Sequence, residues 1–211
     1  MNKLNIEWET NEIHGLMGSN GSGKSTMFKL LKGILKPVEG KILYKGREIE
    51  SNDIAYLPTE VFFYPRVSGR EYLEMFRVNN PGFKYKNWNE LFDLPLNKIV
   101  DSYSTGMKKK LAFLSCIALD KEILLLDEPY NGLDAESYQI FQEILKSQKE
   151  KGKTIIISSH ISDTLKKICT DICYLKDGKI RDRFLKTDFT KMDENIFSET
   201  LDKTRNKLEG L

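Results

Sequence analysis

The sequence predicts an α/β fold built on a mixed, largely parallel sheet. Three observations lead there. Strand-like and helix-like patterns alternate from residue 12 to residue 185, as connections between parallel strands require. Two strand-length runs, residues 123–126 and 155–157, are apolar at every position, as expected of strands covered on both faces. A glycine-rich run, residues 18–26, joins an apolar segment to a helical pattern and so reads as a strand, a tight turn and a helix start.

The individual elements follow in order. Leu4, Ile6 and Trp8 alternate with polar residues and predict a strand with one wet face. Residues 12–17 predict the next strand, and Met27, Phe28, Leu30 and Leu31 predict a helix that runs to about Leu35. Residues 41–44 and 48–49 predict a small hairpin around Lys45-Gly46, completing a minor antiparallel portion near the N-terminus. A short strand at 53–57 is stopped by Pro58. Residues 61–100 lack a long strand and predict a helical insertion, with Tyr72, Leu73, Met75, Phe76, Trp88, Leu91 and Phe92 at helical spacing on either side of Asn79-Asn80-Pro81-Gly82. Its aromatics are expected in a core.

From Ser104 a helix carries Met107, Leu111, Leu114 and Ala118 on one stripe, with Lys108, Lys109 and Lys110 expected to face solvent. Beyond it the patterns predict a strand at 123–126, a helix at 135–149, a strand at 154–158, a helix at 162–168, and strands at 172–175 and 179–184. Residues 186–211 are polar with sparse Phe189, Ile196, Phe197 and Leu201, and predict a weak surface helix. One domain results. Residues 1–60 and 101–185 form its core, 61–100 the insertion and 186–211 a tail.

The totals limit the function. With 211 residues the chain can bury a real core, and with 30% charged residues at a net charge of +2 its bulk electrostatics imply no nucleic-acid partner. Cys116, Cys169 and Cys173 lie in apolar patterns and are expected as reduced thiols in a cytosolic, soluble chain. No apolar run approaches the ~20 residues of a membrane span, so any membrane role needs a partner.

The glycine-rich run carries the first chemical signal. Gly18-Ser19-Asn20-Gly21-Ser22-Gly23-Lys24-Ser25-Thr26 matches G-x-x-x-x-G-K-[ST], the Walker A phosphate loop. The glycines let backbone N–H groups converge on phosphate oxygens, and the helix N-terminus adds unpaired donors and a positive dipole end. Lys24 is placed for the β- and γ-phosphates, and the Ser25 hydroxyl for Mg²⁺. With glycine at ~7% of residues, chance matches occur in roughly one chain of this length per hundred, before the strand and helix flanks are counted.

Three further signals fall at the ends of predicted strands or at helix starts. Residues 123–126 run straight into Asp127, Glu128 and Pro129. Ligand groups in open α/β sheets come from the carboxyl ends of strands, which suits Asp127 to a metal and Glu128 to a water at the γ-phosphate. The strand at 154–158 ends in Ser159-His160, where the imidazole could reach a γ-phosphate oxygen. Asn131, Gly132, Leu133 and Asp134 lead into a helix for which Asp134 is a good N-cap. Ser104, Thr105, Gly106 and Met107 open another helix with small residues, a weak anion-site signal.

In this order the parts resemble the nucleotide-binding subunit of ATP-binding-cassette (ABC) transporters over nearly the whole chain. The resemblance implies a phosphate-loop NTPase core. It makes residues 18–26 Walker A, residues 124–127 with Glu128 Walker B and the catalytic glutamate, Asn131 to Asp134 the D-loop, and His160 the switch histidine. Tyr103-Ser104-Thr105-Gly106-Met107 stands where the family signature, usually LSGGQ, is found, in a form similar to small bacterial exporter-type subunits. It implies ATP and Mg²⁺ as cofactors, with Lys24, Glu128 and His160 catalytic and Ser25 and Asp127 on the metal. The resemblance further implies that two cassettes close head to tail, each signature meeting the other's nucleotide, and drive a separate membrane permease at the cytoplasmic face.

Two departures from the family pattern carry their own expectations. The position of the family glutamine after Leu57-Pro58 holds Thr59, too short to reach Mg²⁺ and the attacking water, with Glu60 beside it; coupling or basal turnover should be altered. The 17 residues before Gly18 offer no aromatic suited to stack on adenine, since Trp8 falls on a strand; loss of ~1–3 kcal/mol of stacking predicts weaker ATP affinity and poor discrimination from GTP. Two other classes share the first motif. A small-molecule kinase would want an arginine-bearing lid, and a regulatory switch would bind ATP while hardly hydrolysing it. Coiled-coil DNA-repair and double-cassette translation relatives fit less well.

Overall fold

A computed structural model describes residues 4–77 and 80–208, leaving aside the side chains of residue 197 and residues 199–207. Residues 4–9 form no strand, contrary to the pattern. Leu4, Ile6 and Trp8 are half-buried between exposed neighbours and pack on one core cluster. The alternation is real, but no neighbouring strand takes up its backbone.

β1 (Ile13–Met17) is buried at every position. The glycine-rich turn then leads into α1 (Lys24–Leu31), which ends four residues sooner than predicted. Gly33 at φ 75° supplies a left-handed stop: its N–H donates to Leu30 O at 3.0 Å, and that of Ile34 to Lys29 O at 2.9 Å, which satisfies the last carbonyls of the helix. β2 (Leu43–Tyr44) and β3 (Arg47–Glu48) form a separate hairpin. Its two turn residues, Lys45 and Gly46, have φ of 50° and 81°, the pair of positive values that suits strand twist.

β4 (Ile54–Leu57) is followed by α2 (Gly69–Arg77) and α3 (Tyr85–Asn89), then by α4 (Thr105–Ala118). Ser104 caps α4, its Oγ accepting from Met107 N–H at 3.2 Å. The aromatics of this middle stretch divide: Tyr72, Phe83 and Phe92 are buried, whereas Phe62 and Tyr64 stand exposed. From residue 111 to 118 α4 is buried all round, wider than the single stripe predicted, because it lies between β4 and α2. The expectation of a solvated lysine face also fails: Lys109 is buried, and Lys110 pairs with Asp134 at 3.3 Å and lies over the Phe92 ring.

The remaining elements are β5 (Ile123–Asp127), α5 (Ala135–Glu150), β6 (Thr154–Ser159), α6 (Ser162–Lys166), β7 (Asp171–Lys176), β8 (Lys179–Leu185) and α7 (Phe189–Leu208). Phe189 and Met192 anchor the start of α7 in the core. Phe197 and Leu201, marked by the sequence as apolar points of the tail, lie outside the described side chains.

The main sheet runs β4-β5-β6-β1-β7-β8, parallel except for β8 on its edge. Alternate residues feed two cores. Leu124, Leu126, Ile155 and Ile157 join one cluster with Phe113 and Phe141, whose rings stack at 3.9 Å. Ile123, Leu125 and Ile156 join the other with Met27 and Phe28. Both faces being covered, no polar residue can interrupt these strands, hence the unbroken apolar runs. Cys169 belongs to the first cluster and Cys173 to the second, and burial pushes the Cys116 and Cys173 thiols up to about 12. These thiols pack as small apolar groups.

One buried polar cluster ties the sheet together away from its carboxyl ends. Asp171 on β7 bonds His14 on β1 and takes the Arg183 Nε–H from β8 at 2.6 Å, while His14 Nε2 lies 2.7 Å from Glu9 O. Burial alone would raise the Asp171 pKa; His14 and Arg183 outweigh it and hold the carboxyl below its ordinary value. The contribution of this carboxylate to stability is therefore present above the unfolded pKa and lost as pH falls through the lower folded one. Asp171→Asn should cost about 3 kcal/mol in denaturant unfolding at neutral pH, and the gap from wild type should close as pH drops below ~3.9. A gap that persists undiminished in acid would contradict this.

Candidate functional site

The register of the parallel strands brings their carboxyl ends level. Met17 lies opposite Ser159, and Asp127 opposite Ser158. The glycine-rich turn leaves this edge, with Gly18 N–H extending the ladder to Ser159 O at 3.3 Å. A Cβ on Gly18 would stand 2.5 Å from both Leu175 O and Ser22 Oγ, so only glycine fits there. Gly21 and Gly23 have φ of 81° and 109°, values other residues rarely adopt. The turn curls back on itself, and its lysine closes it: Lys24 Nζ donates to Gly18 O at 2.7 Å and to Ser19 O at 3.3 Å.

Lys24 Nζ also stands 3.3 Å from Glu128 Oε1, an ion pair of two buried groups without a directed hydrogen bond. The other carboxylate oxygen, Glu128 Oε2, lies 3.0 Å from His160 Nδ1. Glu128 sits at φ 48°, a left-handed conformation uncommon outside glycine and frequent at functional turns. Its own N–H donates to Ser158 Oγ at 3.0 Å, and that hydroxyl donates to Asp127 Oδ1. Ser158 thus holds both acids with one group. Asp127 Oδ2 is buried and has no hydrogen-bond partner among the described residues.

These groups face an open cleft of about 670 Å³. Ser19, Asn20, Gly21, Gly23, Lys24, Ser25 and Thr26 line it from the turn, Asp127, Glu128 and Asn131 from β5 and the loop after it, and His160 from the end of β6. Thr59 and Glu60 line it from the loop after β4. Tyr56 does too; burial, followed by the Asp127 charge, raises its pKa well above the usual phenol value, so the hydroxyl stays protonated. An unpartnered Asp127 oxygen and the Ser25 hydroxyl, both lining the cleft, are hard donors of the kind magnesium takes.

Other predicted residues lie apart from the cleft. Gly18 and Ser22 build the turn from behind. Ser104, Thr105, Gly106 and Met107 open α4 and are not among the lining residues, nor are Gly132, Leu133 and Asp134. Asp134 caps α5 by accepting from Ser137 N–H at 2.7 Å. The two groups meet each other instead: a Cβ on Gly106 would stand 2.8 Å from Gly132 O. Trp8 packs against the second core cluster.

The sequence reading missed Ser158, Tyr56 and Lys109. Ser158 was visible as the residue before Ser159-His160, but its meaning depends on strand register.

Lys24, folded onto the carbonyls of its own turn, faces Glu128, while Asp127 at the end of β5 keeps one oxygen free; groups of these types together can take an anion and a divalent cation. The fold and this edge define a phosphate-loop nucleotide-binding protein. The chain belongs to the ABC transporter family, whose family model matches residues 1–131. It is 34% identical over 188 residues to the uncharacterized ABC transporter ATP-binding protein YhaQ of Bacillus subtilis, covering 83% of this chain and 63% of that one. It is 31% identical over 193 residues to the lantibiotic transport ATP-binding protein SrtF of Streptococcus pyogenes, covering 85% and 82%. The dimeric post-hydrolysis structure of the ATP-binding cassette MJ0796 with ADP and Pi superimposes with a TM-score of 0.77 at 22% identity, covering 87% and 89%, a likeness of fold. The chain spans about two thirds or less of the length of YhaQ and of two similar relatives.

Ser158→Ala would leave a buried acceptor on Asp127 and a buried N–H on Glu128 unpaired. Its expected cost is about 1–3 kcal/mol in denaturant unfolding; an unchanged midpoint would show that the hydroxyl does not hold the two acids.

Proposed function

We propose that the chain is the ATP-hydrolysing subunit of an ABC transporter, acting on a separate membrane permease from its cytoplasmic face. The observation that carries this reading is the convergence of Lys24, Asp127, Glu128 and His160 on one cleft behind a phosphate-loop turn. None of the described helices is long and apolar enough to cross a membrane, which fits a role that depends on a partner for contact with the bilayer.

Substrate phosphates would enter between the turn amides and Lys24. The ammonium would then exchange its Glu128 contact for phosphate oxygens, a stronger and better-directed interaction. Ser25 and Asp127 Oδ2 are the residues that would hold Mg²⁺, which supplies charge neutralisation at the β- and γ-phosphates. Glu128, released from Lys24, takes the proton of the attacking water, and His160, its hydrogen-bond partner, orients it and reaches toward the γ-phosphate. Positioning and preset charge supply most of the acceleration.

The signature segment Ser104–Met107 has no place in its own chain's cleft. It is assigned to the nucleotide of a second cassette, in a head-to-tail pair that ATP closes. The D-loop from Asn131 to Asp134 runs between the two, since Asn131 lines the cleft and Gly132 touches Gly106. A likeness to the lantibiotic transport ATP-binding protein SrtF supports a role in transport.

Purified protein with Mg-ATP and no phosphate acceptor should release phosphate, where a kinase would not. Lys24→Ala should weaken nucleotide binding by about 10–100-fold, the loss of a charged hydrogen-bond donor, in a direct titration. Glu128→Gln should bind normally, slow phosphate release by ~10²–10⁴-fold and accumulate an ATP-bound dimer in size-exclusion chromatography. Full-rate hydrolysis by Glu128→Gln would reject the base role.

A further inference from the structure

Lys109 is the fifth residue of α4 and is only 6% exposed. A buried ammonium is costly unless something needs it. Its bond to protein is to the Thr59 main chain: Nζ donates to Thr59 O at 3.0 Å. Thr59 lines the nucleotide cleft from the loop after β4. Burial pulls the Lys109 pKa below its ordinary value, while Asp127 and Glu128 oppose the fall, so both acids lie near enough for their charges to act on it. The next residue, Lys110, pairs with Asp134, and Gly106 packs on Gly132. One end of α4 is thus tied to the loops on both sides of the cleft.

Thr59 lines the cleft, and its backbone carbonyl is held by Lys109. The holding group comes from α4, which also packs on α2 and carries the signature segment at its start. A movement of α4 would therefore reach the cleft wall at Thr59 through this bond.

We propose that Lys109 is a positioning residue of the ATPase site, fixing the cleft-lining loop at Thr59 to α4 through its bond to the Thr59 carbonyl. It acts through the loop, without touching substrate. The inference rests on the ATPase reading above. A methionine at 109 keeps the stem and its packing and removes the tie; an arginine keeps a donor and the charge.

The test compares full-length wild type, Lys109→Met, Lys109→Arg and the double variant Lys109→Met/Thr59→Gln. Steady-state hydrolysis of Mg-ATP is measured together with amide hydrogen exchange of the peptide spanning residues 56–62. Lys109→Met should lower kcat by about 10–100-fold with KM for ATP within about twofold, the mark of an interaction used in the transition state. Lys109→Arg should recover most of the rate, and glutamine at Thr59 should recover part of it in the double variant. Exchange in residues 56–62 should quicken in Lys109→Met alone among the single variants. Wild-type kcat and unchanged exchange in Lys109→Met would overturn the inference, as would a rate loss that tracks a lower Tm and that arginine fails to rescue. A wild type that binds but releases no phosphate would sink the ATPase reading instead, and the exchange arm would still decide whether the tie exists.

Discussion

The parallel ladder joining β5, β6 and β1 is the constraint on which the site depends. It sets Asp127 beside Ser158 and Met17 beside Ser159. A slip of one residue in β6 would turn Ser158 away from both acids and put Ile157 or Ser159 opposite Asp127, because side chains alternate faces. The same register carries Gly18 onto Ser159 and so starts the phosphate-gripping turn. What fixes the register is apolar: residues 123–126 and 155–157 divide their side chains between two cores, and any slip would exchange the two sets. Hydrophobic packing thus sets the geometry of the polar edge.

That edge stores opposed charges. Lys24 and Glu128 neutralise one another across the cleft mouth, His160 shares the same carboxylate, and Asp127 keeps one oxygen free. Each is a pairing that a phosphate or a cation can replace by a better one. Pairing offsets part of the desolvation cost of these buried charges, which reorganise over short distances when ligand arrives. The left-handed turn at Glu128 serves the same end by lifting its carboxylate off the line of β5.

Much of this was legible in the amino acids. The turn announces itself through Gly18, Gly23, Lys24 and Ser25, and the acids through an apolar strand broken by Asp127-Glu128-Pro129. The alternation of strands and helices gave the sheet, and Gly33 marked a helix end that the apolar Ile34 and Leu35 obscured. What could not be read depended on contacts distant in sequence. Ser158 acquires its role from a neighbouring strand, Lys109 from a carbonyl 50 residues away, and residues 4–8 have a strand's alternation without a partner strand among the described residues. Three consecutive lysines look like a wet surface when a helix is judged by one stripe; α4 has little wet surface to offer.

The central claim is that Lys24 and Asp127 are prearranged for a magnesium triphosphate and that Glu128 gives up its lysine on binding. A crystal structure with Mg²⁺ and a non-hydrolysable ATP analogue tests it most directly. The account predicts phosphates inside the turn, the Lys24 ammonium moved onto them, and metal between Ser25 Oγ and Asp127 Oδ2. Nucleotide bound elsewhere, with the pair between Lys24 and Glu128 intact, would contradict it.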